Sequence, residues 1–186
     1  MTRAERTAGT APGHVAWAAL RRATLALALL LQAPVSSAAD GGEAALVVAY
    51  LYNFALYTEW PGTPAAFEFC LIGKDELNDA PQTLERKEIA GRPIRVRHLT
   101  SQEVPTECNV LFIAGSEKSR LPKLLGQLAA RPVLTVTDVG LEGESLAMVQ
   151  LAHEQGRLSF SANLTAARAA GLNFSAKMLR IARNVR

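Results

Sequence analysis

Cysteine and histidine are scarce in this chain, two of the first and three of the second among 186 residues. A Cys/His zinc finger or ribbon needs four such donors at short spacing, and no such cluster exists here. Nucleotide-binding signatures are missing too: there is neither a G-x-x-x-x-G-K-[ST] loop nor a G-x-G-x-x-G turn after a strand. A G-x-S-x-G nucleophile elbow is also absent, which removes the usual hydrolase signature of open α/β sheets. Apolar runs are short. Ala23 to Leu31 has nine residues and Ala44 to Tyr57, interrupted by Asn53, has fourteen, against the roughly 20 a membrane-spanning helix needs. No internal repeat or low-complexity stretch is visible. What remains is a chain of ordinary globular composition, 49% hydrophobic and 20% charged, with a net charge of +3 and a mean hydropathy of +0.10.

The positive charge is unevenly placed. Residues 1–39 carry Arg3, Arg6, Arg21 and Arg22 against Glu5, then the nine-residue apolar run, Pro34, and the small residues Ser36 to Ala39. A basic segment, an apolar core shorter than a membrane span and a small-x-small end predict a secretory signal peptide, cut after Ala39. The Arg21–Arg22 pair leaves twin-arginine export open beside the general secretory route, and no Cys at the cut supports a lipid anchor. Without residues 1–39 the 20 Lys+Arg and 17 Asp+Glu fall to 16 and 16, since the leader holds four Arg and one Glu. The exported chain, 40–186, is formally neutral, and the case for a nucleic-acid partner loses its main support. Cys70 and Cys108 survive cleavage. In an oxidising compartment one disulfide is the simplest outcome, with two free buried thiols as the alternative.

Gly41 and Gly42 read as a flexible start to the exported chain. A helix is expected over 43–59, apolar on most sides, and stopped by Trp60-Pro61. Strands are expected at 67–73, 92–99, 109–114 and 132–138. A partly helical segment lies at 76–86, and a helix starting at Ser116 or Leu121 ends near Ala130. A hairpin is expected over 145–161, turning at 154–156. Helices follow at 164–170 and 175–184, separated by Gly171. Alternating strands and helices predict one α/β domain of three layers: a mostly parallel central sheet, helices on both faces, and a C-terminal hairpin plus helices.

Candidate functional residues are few. Asp138 ends a predicted strand, where open α/β sheets bind ligands, although a lone Asp there is more often a cap. With Gly73 and Gly115 it marks a candidate pocket at the strand C-termini. His98 and His153 have no partners nearby in sequence. The triplets Asn163-Leu164-Thr165 and Asn173-Phe174-Ser175 fit helix caps better than glycosylation sites. A helix as apolar as 43–59 needs a cover on most sides. Leu46, Val47, Tyr50, Leu51 and Phe54 are therefore a candidate interface, in a homodimer or with a partner, and burial within the monomer is an equal alternative. The last thirty residues lack Asp and Glu. Lys177, Arg180 and Arg183 are expected on one face of the final helix, with Met178, Ile181, Ala182 and Val185 opposite.

The order of several short blocks adds a resemblance. Ala49-Tyr50-Leu51-Tyr52-Asn53-Phe54 leading to Glu59-Trp60-Pro61 resembles the opening of the YfiR family of periplasmic regulatory proteins. The similarity continues through Cys70-Leu71-Ile72-Gly73, Gly91-Arg92-Pro93-Ile94, Cys108-Asn109-Val110-Leu111-Phe112-Ile113 and Val133-Leu134-Thr135-Val136-Thr137-Asp138. It ends with Gly156-Arg157, Asn163-Leu164, Ala166-Ala167-Arg168 and Ala170-Gly171-Leu172. The resemblance implies an exported, non-catalytic protein of Gram-negative bacteria, without cofactors. The family's best understood members repress an inner-membrane diguanylate cyclase through its periplasmic sensor region, and the resemblance implies the same role here, lowering cyclic-di-GMP and biofilm formation. It also implies a disulfide between Cys70 and Cys108. Two features depart from the pattern: there is no second cysteine pair near Gly140–Val149, and Ser161 and Ala162 follow Phe160 where relatives often carry an acidic and an aliphatic residue. The alternative function is a periplasmic small-molecule-binding accessory of a sensor kinase or an outer-membrane uptake system.

Overall fold

The structure, a computed structural model, describes residues 38–75, 77–139, 147–154 and 157–186. The expected leader up to residue 37, most of the loop after Val139 and the hairpin turn at 155–156 lie outside them. The described residues form ten strands and four α-helices: α1 (Ala38–Leu56), β1 (Thr58–Glu59), β2 (Phe67–Ile72), β3 (Glu88–Ile89), β4 (Arg92–Leu99), β5 (Val110–Ile113), α2 (Leu121–Leu128), β6 (Leu134–Thr137), β7 (Val149–Glu154), β8 (Arg157–Ala162), α3 (Leu164–Ala169), β9 (Asn173–Phe174), α4 (Ala176–Ile181) and β10 (Asn184–Val185). Eight strands form one sheet in the order β10-β8-β7-β6-β5-β2-β4-β3. Its pairings are parallel except at β3–β4 and β7–β8. The three-layer α/β expectation holds.

Side-chain alternation divides each central strand between two apolar clusters. Phe69 and Leu71 of β2, Val110 and Phe112 of β5, and Leu134 and Val136 of β6 face the larger cluster, with α1, Ala167 of α3 and Met178 of α4. Cys70 and Ile72, with Leu111 and Ile113, face the smaller cluster, together with Leu121, Leu124, Leu125 and Leu128. Those four leucines share one stripe of α2. Pro122 sits in the first turn of that helix, where its missing N–H costs nothing. Of the two proposed starts, Leu121 is therefore the observed one, and Gly115–Glu117 forms a separate 3-10 turn.

Helix α1 begins five residues before the expected Glu43, taking Gly41 and Gly42 into its first turns, and ends at Leu56. The chain beyond it becomes strand because the backbone of Thr58 and Glu59 pairs antiparallel with Phe174 and Asn173. The Thr58 hydroxyl closes the helix by donating to the Phe54 carbonyl at 2.6 Å. Tyr50, Phe54 and Phe160 pack edge to face, with ring centroids 4.8 to 6.0 Å apart. This contact fixes α1 against β8.

The chain end corrects the sequence reading most. The helix expected over 175–184 stops at Ile181, because Ala182 is extended and Asn184 and Val185 pair with Ser161 and Ala162 as an edge strand. Arg183 therefore lies off the helix, and only Lys177 and Arg180 share its exposed side. The opposite stripe is broken as well: Met178 is buried, but Ile181 is 71% exposed. Capping holds at both triplets, with different residues. Asn163 caps α3, accepting from the Ala166 N–H at 2.9 Å. At the second triplet Ser175 is the cap, accepting from Met178 at 3.3 Å, while Asn173 lies in β9.

Candidate functional site

The C-terminal ends of β2, β5 and β6 open onto a cavity of about 350 Å³, bounded by the start of α1 and by His153 of β7. This is the crevice where parallel sheets present loops and backbone amides to ligands. Gly115 and Asp138 line it, as do Glu43, Lys74, Asp75 and Ser116. Ala44, Val47 and Leu77 supply an apolar wall, each only 5% exposed.

Gly73 shapes the site from behind. Its φ is +98°, and a Cβ there would stand 2.6 Å from Ser116 Oγ and 2.8 Å from Glu117 Cγ. Only glycine meets both the backbone conformation and the close approach. The following N–H, of Lys74, donates to Ser116 Oγ at 2.8 Å. This bond ties the β2 exit to the β5 exit. Asp75 Oδ1 accepts from the Leu77 N–H at 3.0 Å, holding the one wall residue that α1 does not supply.

Asp138 is the chemical centre. Burial among protein atoms pushes its carboxyl above the ordinary aspartate range; hydrogen bonds from its own N–H and that of Gly115 oppose the shift, and the nearby Asp75 carboxylate adds to it. The side chain is open to the cavity by surface area, but protein crowds it on the other sides, and that crowding sets the direction. His153 Nε2 lies 3.2 Å from Glu43 Oε1, joining β7 to the first turns of α1 across the cavity mouth.

Of the residues proposed from sequence, Gly73, Gly115 and Asp138 are thus brought together. Lys74, Asp75 and Ser116 were missed, although each lies within two residues of one of the glycines. Glu43, Val47 and His153 join only through the tertiary fold, and no local motif announces them. Among the described residues no group of three His, Cys, Asp or Glu is arranged to hold a metal. His98 lies exposed on β4, away from the cavity lining.

The remaining candidates divide by burial. Val47, Leu51 and Phe54 are packed against the sheet, 5%, 2% and 2% exposed, and Tyr50 donates its hydroxyl to the Leu158 carbonyl at 3.2 Å. Leu46 is the exposed member, at 44%. Cys70 and Cys108 are bonded to each other, with Cα atoms 5.9 Å apart. Ser161 and Ala162 are buried, and β8 is flanked by β7 and β10 at these positions. A family model described as YfiR/HmsC-like matches residues 44–183, from the first half of α1 to just before β10.

Proposed function

The chain belongs to the YfiR/HmsC-like family, and from that premise we propose that it is a periplasmic protein that binds and represses an inner-membrane diguanylate cyclase. The contact is with the periplasmic sensor region of the cyclase, and the consequence is less cyclic-di-GMP and less biofilm. The family is regulatory rather than catalytic, and its match over 44–183 is the observation that carries this reading. The Cys70–Cys108 bond suits an oxidising compartment. No described helix is long and apolar enough to cross a membrane. Residues 1–39 act as a cleaved leader in this reading, and cutting after Ala39 removes two residues of α1. Repression works by population shift: the bound protein stabilises the inactive arrangement of the sensor region. Deleting the gene should raise cellular cyclic-di-GMP, and restoring residues 40–186 behind a signal peptide should lower it again. An unchanged level in the deletion strain would sink the proposal.

A second reading, a periplasmic small-molecule-binding accessory of a sensor kinase or uptake system, is favoured by one observation. The cavity lies at the strand ends where such ligands bind.

A further inference from the structure

We infer that the cavity at the C-terminal ends of β2, β5 and β6 is a site for a small organic cation, whose ammonium group meets Asp138 while its carbon skeleton lies on Ala44, Val47 and Leu77. This rests on reading the cavity as a ligand site and adds the chemical class of the ligand.

Charge selects the sign. Three carboxylates, Glu43, Asp75 and Asp138, line the space against Lys74 and His153, and His153 already faces Glu43 at 3.2 Å. Gly115 packs beside the Asp138 carboxyl, where a Cβ would stand 3.7 Å from Oδ1, and an ionised carboxylate keeps acceptor capacity for a ligand. An ammonium placed there relieves the repulsion between Asp138 and Asp75. An anion finds a single Lys74 and three repelling carboxylates.

The wall selects an organic cation over a metal. Hard cations take six or more oxygen ligands, and no three acidic or His side chains among the described residues are arranged for that. One side of the cavity is instead buried aliphatic surface. A volume of about 350 Å³ lies at the low end of small-molecule sites, which suits a ligand near the size of one ring and an aminomethyl group.

The test uses three probes of one shape: benzylamine, benzyl alcohol and benzoate, titrated into the folded 40–186 chain. Amide shifts are followed by NMR, with Gly115 as reporter because it lines the cavity beside Asp138. Benzylamine should bind at least tenfold more tightly than the other two and move the Gly115 and Lys74 amides. Asp138→Asn should weaken benzylamine at least tenfold, and Asp75→Asn several-fold, while leaving benzyl alcohol unchanged. The second variant keeps the test decisive should the first fold poorly. Tighter binding of benzoate, or equal binding of benzyl alcohol, would overturn the cationic class and leave a ligand site. No binding by any of the three would overturn the site itself. Benzylamine binding that survives both substitutions would place the cation elsewhere and overturn the assignment to Asp138.

Discussion

Asp138 couples the candidate site to stability through its proton. Burial holds its folded carboxyl above the ordinary aspartate value, so the native state keeps the proton at a pH where the unfolded chain has released it. By linkage, stability then falls as pH rises from the ordinary aspartate value through the raised one. Asparagine removes this titration at nearly unchanged side-chain size. Asp138→Asn should therefore unfold at a higher urea concentration than the wild type at pH 7. The two should converge by about pH 3, where even an unperturbed aspartate is mostly protonated. A wild type that stays more stable at pH 7 would show that the two backbone hydrogen bonds outweigh burial. Glu103 is shifted the other way, lowered by hydrogen bonds from the Thr100 N–H and hydroxyl. Its contribution is present above the ordinary carboxylate range and is lost as pH falls. Acid titration therefore moves the two groups' contributions in opposite directions, and the Asp138 effect has to be read from the variant difference.

At the scale of elements, α1 is covered by its own domain. Its inner side meets the sheet through Val47, Val48, Leu51, Phe54 and Ala55. On a flank, the Tyr52 hydroxyl donates to the Glu88 carbonyl at 3.1 Å, and Lys87 Nζ sits 5.0 Å from the Tyr52 ring centre. Leu46 and Leu56 remain outside, at 44% and 43% exposure. Leu51→Ala should cost about 2–5 kcal/mol of unfolding free energy in urea titration, the usual range for a buried leucine. Leu46→Asp should leave it within about 0.5 kcal/mol, as surface changes do. The reverse order would mean the helix is rotated about its axis. This helix also shows what the sequence could reveal. Its length of apolar residues announced a buried helix, but no periodicity within the chain distinguished an intramolecular cover from a partner. The central strands were legible because apolar runs such as Val110–Ile113 suit strands buried on both faces. Four two-residue strands were not: β1, β3, β9 and β10 exist because a partner backbone is in place, and their own residues carry no strand signal. The Ala90–Gly91 turn at positive φ joins β3 to β4, and Gly91 was its one sequence cue. For the cavity, glycines and an aspartate at strand ends marked the floor. The lid is invisible in sequence, since Glu43 and His153 meet only after α1 has packed beside the hairpin.

The eight-stranded sheet has unequal faces, and the disulfide lies on the face with the smaller cluster. Cys70 and Cys108 are 1% and 4% exposed and pack with Leu99, Leu111 and the leucines of α2. The bond joins β2 to Cys108, two residues before β5, closing a 38-residue separation that contains β3, β4 and the 3-10 segment Ala80–Arg86. Hydrogen bonds beside it already set the register between these strands. The Asn109 side chain accepts from the Glu68 N–H and its own N–H donates to the Glu68 carbonyl, both at 2.9 Å. The disulfide therefore acts chiefly on the unfolded chain, where closing such a loop removes entropy equivalent to ~4 kcal/mol. That is a large share of the 5–15 kcal/mol typical of a domain. Cys70→Ala with Cys108→Ala should keep the far-ultraviolet circular dichroism spectrum and the amide pattern of β2 and β5, while its unfolding free energy drops by about 3–5 kcal/mol. An unchanged urea midpoint would show that the reduced chain is already constrained before it folds. Loss of the β2–β5 amide pattern would show that the bond sets the register and that the Asn109 pair does not.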